Sequence, residues 1–290
     1  MVDFKTFARQ QVPAFETYLT EQLAQIEEPT LQKAMTYSVM AGGKRLRPLL
    51  VFAVLASAGR PINQMAYRVA GALELIHSYS LIHDDLPAMD NDDLRRGQPT
   101  NHKVFGEAQA ILAGDGLLTL AFEWLTTTDL TTDQQIRAVQ LLAQAAGPSG
   151  MVAGQIEDIE GQTKTLSLVQ LKQVHQLKTG RLIECAVGLG AILADLSDEQ
   201  MASLQLFAQN YGLAFQIQDD ILDVTSTTEA MGKAVHKDAD EHKNTFPGLL
   251  GLAGAKDALD ETYQAAQTAL TDLSGLDKAL LNSFLNYFNE

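Results

Sequence analysis

The sequence predicts an all-α fold, a single large bundle of roughly ten or more helices, on three observations. Apolar residues recur at three- and four-residue spacing, as in Leu73, Ile76 and Leu81, or Leu204, Phe207, Tyr211, Ala214 and Phe215. Alternating β-branched segments bounded by turn pairs are almost absent. Helix breakers stand at intervals that suit helices joined by short turns.

The breakers set the elements in order. Glu28-Pro29-Thr30 and Gly42-Gly43 divide the first part of the chain, and Gly59-Arg60-Pro61 closes the apolar run Leu49 to Ala56. A long apolar helix is predicted over 62–86, followed by the turn Arg96-Gly97-Gln98-Pro99. Gly147-Pro148-Ser149-Gly150 and Lys178-Thr179-Gly180 break the middle, and a second long helix is predicted over 198–223. Phe246-Pro247-Gly248 and Ser274-Gly275 divide the remainder. None of these breaks is long or polar enough to be a linker, and there is no repeat with a period of roughly 20–50 residues. Residues 1–290 therefore read as one domain.

With 46% hydrophobic residues a sizeable core is available. A net charge of −15 argues against a nucleic-acid partner, which needs clustered Lys and Arg. It leaves room for a small phosphorylated ligand, which needs only a local basic patch or a metal ion. The single cysteine, Cys185, lies in an apolar stretch and fits a core position in a reducing, cytoplasmic setting. The N-terminal residues lack an apolar run of the signal type, and Leu49 to Ala56 and Cys185 to Ala194 are too short to span a bilayer. A soluble protein without stable membrane insertion is expected.

Two acidic runs stand about 135 residues apart, Asp84-Asp85-Leu86-Pro87-Ala88-Met89-Asp90 and Asp219-Asp220-Ile221-Leu222-Asp223. Clustered carboxylates repel one another, so two such runs beside apolar helices suggest a positive charge between them. Oxygen-only donors without a His or Cys cluster point to a hard cation, and Mg²⁺ is commonly held by a few carboxylates together with substrate phosphates. Asp219 and Asp223 share a helix face. Asp84 and Asp90 are badly placed for a continuous helix, but Pro87 disfavours helix at Leu86 and lets the chain bring Asp90 back. The two long helices, packed with their acidic ends level, would form one mouth over an apolar shaft.

Asp90-Asn91-Asp92-Asp93 begins like a Ca²⁺ loop, but Arg95 stands where the turn needs Gly and Asn101 where the loop needs Glu. A phosphate loop and a complete dinucleotide fingerprint are both absent. Basic residues gather at Gly42-Gly43-Lys44-Arg45-Leu46-Arg47-Pro48, at Arg95-Arg96, at Lys178-Thr179-Gly180-Arg181, and around Lys233, Lys237 and Lys243. Glycine beside Lys or Arg lets a backbone approach an oxyanion, and an Arg fork binds phosphate oxygens bidentately. His77 and His83 share the first long helix but not one face, and Gln216 projects near Asp219.

Leu81-Ile82-His83-Asp84-Asp85-Leu86-Pro87-Ala88-Met89-Asp90-Asn91-Asp92-Asp93-Leu94-Arg95-Arg96-Gly97 resembles the first aspartate-rich motif of the trans-isoprenyl diphosphate synthases. Its two extra residues, including Pro87, are similar to the bacterial farnesyl diphosphate synthase type. Phe215-Gln216-Ile217-Gln218-Asp219-Asp220-Ile221-Leu222-Asp223 resembles the second motif. Gly42 to Pro48, Gly150-Met151-Val152-Ala153-Gly154-Gln155 and Lys178-Thr179-Gly180 match further family blocks in the same order. Ala153 stands where the family usually has Gly, and Gly232-Lys233-Ala234-Val235-His236-Lys237-Asp238 is a loose version of its lysine loop.

The resemblance implies the isoprenoid synthase fold around a central apolar substrate cavity. It implies a head-to-tail prenyltransferase that condenses isopentenyl diphosphate with dimethylallyl and geranyl diphosphate to farnesyl diphosphate. The alternative is a geranylgeranyl or longer-chain synthase. A cluster of up to about three Mg²⁺ ions would lie on Asp84, Asp85, Asp90, Asp219, Asp220 and Asp223. Asp84, Asp85, Asp90, Asp219 and Lys178 are the implied catalytic set. Arg95, Lys178, Thr179, Gln216, Lys233 and Lys243 would hold the allylic diphosphate, and Gly43, Lys44, Arg47, His77 and Arg96 isopentenyl diphosphate. Tyr79, roughly 7.5 Å of helix rise before Asp84, would with Ser80 form a floor that stops chain growth. A homodimer is implied by the resemblance alone.

Overall fold

Helix starts are written in the residues that satisfy their free N–H groups. The structure, a computed structural model, describes residues 3–225 and 244–289. Helix α1 (Phe4–Leu23) is capped by Asp3, whose carboxylate accepts from Thr6 N at 2.7 Å, and α2 (Pro29–Val39) begins on Glu28 with proline at its first position. Helix α4 (Gln64–Asp84) follows α3 (Leu46–Ser57) and is capped by Asn63. After the short α5 (Asn101–Phe105) and α6 (Glu107–Thr126), Thr131 and Gln134 form a capping box for α7 (Thr132–Ala146). Helix α8 (Met151–Gly161) precedes α9 (Leu168–His175), which begins on a second capping box, Ser167 with Gln170. The chain closes with α10 (Arg181–Ala194), α11 (Asp198–Thr225), α12 (Phe246–Thr271, kinked at Gly251, whose φ of 70° and ψ of 166° are not helical), α13 (Ala279–Leu285) and a 3₁₀ turn, Asn286–Asn289.

Three helices form the centre. Residues 48–55 of α3, 69–76 of α4 and 182–192 of α10 are buried without interruption. A helix apolar on every side must be enclosed by others, which is why the runs Leu49 to Ala56 and Cys185 to Ala194 are core and not bilayer spans. No helix among the described residues is long and apolar enough to cross a membrane. Cys185 is fully buried, and burial pushes its thiol far above the ordinary range, as befits an inert core residue.

The two long helices fall within two residues of their predicted bounds. Their packing differs from expectation. α10 packs on both α4 and α11, while the main partner of α4 is α6 and that of α11 is α12. Periodicity shows that a helix has a buried face but not which neighbour covers it. The predicted turn at Arg96-Gly97 is a small hairpin, with β1 (Leu94–Arg95) antiparallel to β2 (Gln98–Pro99). Arg96 and Gly97 have φ of 54° and 75°, the positive values that a two-residue hairpin turn favours.

The predicted break at Lys178-Thr179-Gly180 is instead a π turn, Gln176–Gly180, joining α9 to α10 without interruption. Gly180 keeps helical angles (φ −59°, ψ −43°), so it continues the helical path and does not reverse the chain. Phe246 and Pro247 likewise lie in the first turn of α12, so that predicted break is a helix start. α8 crosses the π turn so closely that a Cβ on Gly154 would stand 2.2 Å from Lys178 N. Gly154→Ala is expected to lower stability by about 2–3 kcal/mol through forced separation of α8 from the π turn, read as a lower urea midpoint with unchanged m-value.

Candidate active site

α4 ends at Asp84, and the chain then turns back through Pro87. Asp90 N donates to Asp84 O at 2.9 Å and Asn91 N to Leu86 O at 3.1 Å. Asp90 thus returns beside Asp84, as Pro87 predicts. Asp85 is 3% exposed and accepts from Arg95 Nε at 2.9 Å and from Arg95 Nη2, which also reaches Asp92 at 3.4 Å. Desolvation raises the Asp85 carboxyl to about 6, against the pull of Arg95.

The hairpin aims its second arginine the other way. Arg96 Nη1 donates to Gly42 O, and a Cβ on Gly43 would lie 2.6 Å from the Arg96 guanidinium carbon. With φ of 116° as well, position 43 admits only glycine comfortably. Next to it, Arg45 is buried, bound to Glu16 at 3.0 Å, Glu74 at 2.8 Å and Val39 O at 2.7 Å. Lys44 Nζ donates to Tyr287 Oη at 2.7 Å, and the Tyr287 ring stacks on Phe215 of α11. Arg47 Nε is buried without a hydrogen-bond partner. Desolvation lowers the Arg47 guanidinium to about 10, with Glu74 opposing and Arg96 reinforcing the fall. His77 is held well below its usual value by burial and then by Arg47, Arg96, Arg95 and Arg45, so it is neutral. An unmatched buried cationic donor beside Arg96 is what an anion would satisfy.

A cavity of about 380 Å³ opens between α4, α8 and the π turn. Tyr79, Met89, Met151, Val152, Ile156 and Ile159 form its apolar wall, and Arg47, His77, Asp84, Gln155, Lys178 and Thr179 bring polar groups to it. Val152 and Ile156 are 44% and 55% exposed because they face this space. Tyr79 stands edge-on to His83 at 5.7 Å, and His83 Nε2 lies 3.1 Å from Ile111 O on α6. Ser80 also lines the cavity, with its hydroxyl donating to His77 O at 2.8 Å.

Two residues that the sequence left unassigned belong to this site. Gln155 Nε2 donates to Asp84 Oδ1 at 2.5 Å, and Asp158 Oδ2 accepts from Lys178 Nζ at 2.7 Å. Gln155 lies in a family-like block, but its partner is 71 positions away, beyond any local signal. In the second acidic run, Asp219 and Gln216 are half-buried and Asp223 is buried. Asp220 Oδ2 accepts from Phe246 N at 2.9 Å and from His175 Nε2 at 3.2 Å. The predicted ligands Lys233 and Lys243, with Lys237, lie outside the described residues.

The structure brings Asp84, Arg47, His77, Tyr79, Ser80, Lys178 and Thr179 to one cavity, and Asp85, Arg95 and Arg96 to a small cleft beside it. Gly43, Lys44, Gln216 and the second run do not line that cavity. Among the described residues no three acidic, His or Cys side chains stand where they could hold a metal ion together. The donor set is oxygen only, and Asp223 Oδ2 is a buried acceptor without a hydrogen-bond partner. Both observations fit a hard cation that takes further ligands from a bound phosphate.

An all-α bundle whose acidic and cationic rim opens into an apolar cavity suits a ligand with an anionic head and an apolar chain. Comparison with known proteins agrees. Residues 28–278 match the polyprenyl synthetase family. The chain is 50% identical over 268 residues to the farnesyl diphosphate synthase of Geobacillus stearothermophilus, covering 91% of this chain and 90% of that one. Identity to the Bacillus subtilis farnesyl diphosphate synthase is 45% over 280 residues, covering 95% and 94%. A Helicobacter pylori geranyltransferase, solved in complex with magnesium and isoprenyl diphosphate, superposes with a TM-score of 0.85 at 34% identity over 98% of this chain and 94% of that one. The chain belongs to the polyprenyl synthetase family, as a trans-isoprenyl diphosphate synthase of the farnesyl type.

The buried pair Arg45–Glu74 shapes the basic loop, and its side chains are 0% and 3% exposed. Glu74→Ala leaves the buried guanidinium with only the partly exposed Glu16 as counter-charge and is expected to cost roughly 3 kcal/mol, the low end for a broken buried pair, in denaturant unfolding. The double change Arg45→Met, Glu74→Leu should recover most of that loss.

Proposed function

We propose that this protein condenses isopentenyl diphosphate with dimethylallyl and then geranyl diphosphate, forming farnesyl diphosphate and releasing diphosphate. The observation that carries this reading is the apolar cavity that meets Asp84, Arg47, Lys178 and Thr179 at its rim. Asp84, Asp90 and Asp219, with Asp85 and Asp223 in support, would hold magnesium, and the substrate's phosphates would complete its shell. Magnesium held there would supply positive charge to the leaving diphosphate when the allylic C–O bond breaks.

Lys178, Thr179 and Gln216 would hold that diphosphate, Lys178 exchanging Asp158 for a phosphate oxygen. Arg95 keeps Asp85 compensated while presenting part of its fork to the same charge. Arg47, Arg96 and Lys44 would bind isopentenyl diphosphate, with neutral His77 adding hydrogen bonds. The apolar wall excludes water that would quench the allylic cation. After the new C–C bond forms, the released diphosphate would take a proton from the resulting carbocation, and the C–H electron pair becomes the product's new double bond.

A second copy of the chain would cover the outward face of α6, where Ile111 and Leu112 are 43% and 61% exposed. The one buried, unpaired cysteine suits a reducing cytoplasm.

Purified protein incubated with Mg²⁺, isopentenyl diphosphate and five-, ten- or fifteen-carbon allylic partners should release diphosphate with the first two and stop at fifteen carbons. Absence of release in every mixture overturns the reading. Tyr79→Ala is expected to extend the product beyond fifteen carbons, seen by chromatography of the dephosphorylated alcohols. A variant that still gives only the fifteen-carbon chain removes Tyr79 as the floor.

A further inference from the structure

Asp220 stands in the second acidic run, yet its surroundings differ from those of its neighbours. It is 6% exposed, and three elements meet on its carboxylate. Phe246 N, at the first position of α12, donates to Oδ2 at 2.9 Å, and His175 Nε2, at the end of α9, lies 3.2 Å from the same oxygen. An ionised carboxylate only accepts, so His175 carries its proton on Nε2. The His175 ring is stacked on Phe246, with centroids 5.7 Å apart and planes 15° from parallel.

The first N–H groups of a helix lack intrahelical acceptors. Thr245 Oγ1 takes that of Gly248, and Asp220 takes that of Phe246, a residue with no exposed surface. Without Asp220 a buried amide would go unmatched at the start of α12. One residue back, Asn244 donates to Gly161 O at 2.8 Å and Lys164 O at 3.0 Å, and accepts from Leu166 N at 2.9 Å. These three residues follow or end α8, the helix whose Gln155 holds Asp84. A continuous set of contacts therefore runs from Asp84 through α8 and Asn244 to Phe246 and Asp220.

We propose that Asp220 is a positioning residue and not a metal ligand: with His175 and Asn244 it anchors the start of α12 and sets the two acidic runs relative to each other. Its place in the metal site rests on the proposed function, whereas the anchor itself rests on the contacts alone. The carboxylates left for magnesium in the second run are Asp219 and Asp223.

Two measurements test this. In metal-free protein, amide exchange of the Phe246–Leu250 segment should speed up in Asp220→Ala and His175→Phe, and stay slow in Asp220→Asn and His175→Gln, which keep an acceptor or a donor in place. Unchanged exchange in both disruptive variants overturns the anchor. Mn²⁺ uptake in the presence of a non-ionising thio analogue of geranyl diphosphate, read by electron paramagnetic resonance, should stay within about threefold of the parent in Asp220→Asn and weaken at least about tenfold in Asp219→Asn. Equal losses in the two variants make Asp220 a metal ligand and overturn the proposal. Faster exchange in the disruptive variants, with no Mn²⁺ uptake by the parent protein, upholds the anchor and removes the proposed function.

Discussion

Crowding of negative charge at the end of α4 is the constraint that the surrounding structure answers. Asp84 and Asp85 sit where the helix dipole is itself negative, and Asp90, Asp92 and Asp93 follow within one short turn of chain. Left alone, such a cluster would splay or take up protons. Donors from three other parts of the chain hold it. Arg95 pairs with Asp85, Gln155 donates to Asp84, and Lys103 reaches Asp93 at 2.7 Å. The last pair is exposed and contributes little; the first two are partly buried and fix geometry.

The contact to Asp85 explains the hairpin. Arg95 ends β1 and Arg96 opens the turn at φ 54°, and the change of backbone direction between them lets Arg95 face the acidic run and Arg96 the Gly42-Gly43 backbone. One two-residue strand thus connects the acidic mouth to the basic loop. The contact to Asp84 explains α8 in the same way. Gln155 reaches its partner because Gly154 lets α8 lie directly on the π turn, and that approach also sets Lys178 on Asp158.

Much of this was legible in the sequence. Helical spacing identified the long helices, Pro87 foretold the return of Asp90, and the family-like motifs located both sides of the rim. Other features were hidden for physical reasons. Lys178-Thr179-Gly180 reads as a break because glycine is a poor helix former, and nothing local shows that the helical path continues through it. α10 between α4 and α11 was invisible because periodicity carries no neighbour identity. Gln155, Asp158, His175 and Asn244 act through partners far away in sequence, and ordinary polar residues on helices look alike until the helices are placed. The surroundings of Asp220 were hidden for the same reason: adjacency to Asp219 says nothing of the roughly 100° that separates their side chains around the helix axis.

The rotation and rise of a helix also bear on product size. Tyr79 is fixed to α4, whose buried middle prevents sliding, and each turn of that helix advances about 5.4 Å. One turn is close to the length that an isoprene unit occupies when extended. Were Tyr79 the floor, moving the obstruction by a turn would change the available depth by whole building blocks, and the backbone would serve as a graduated scale. A continuous property, cavity depth, would thereby be read out in integers.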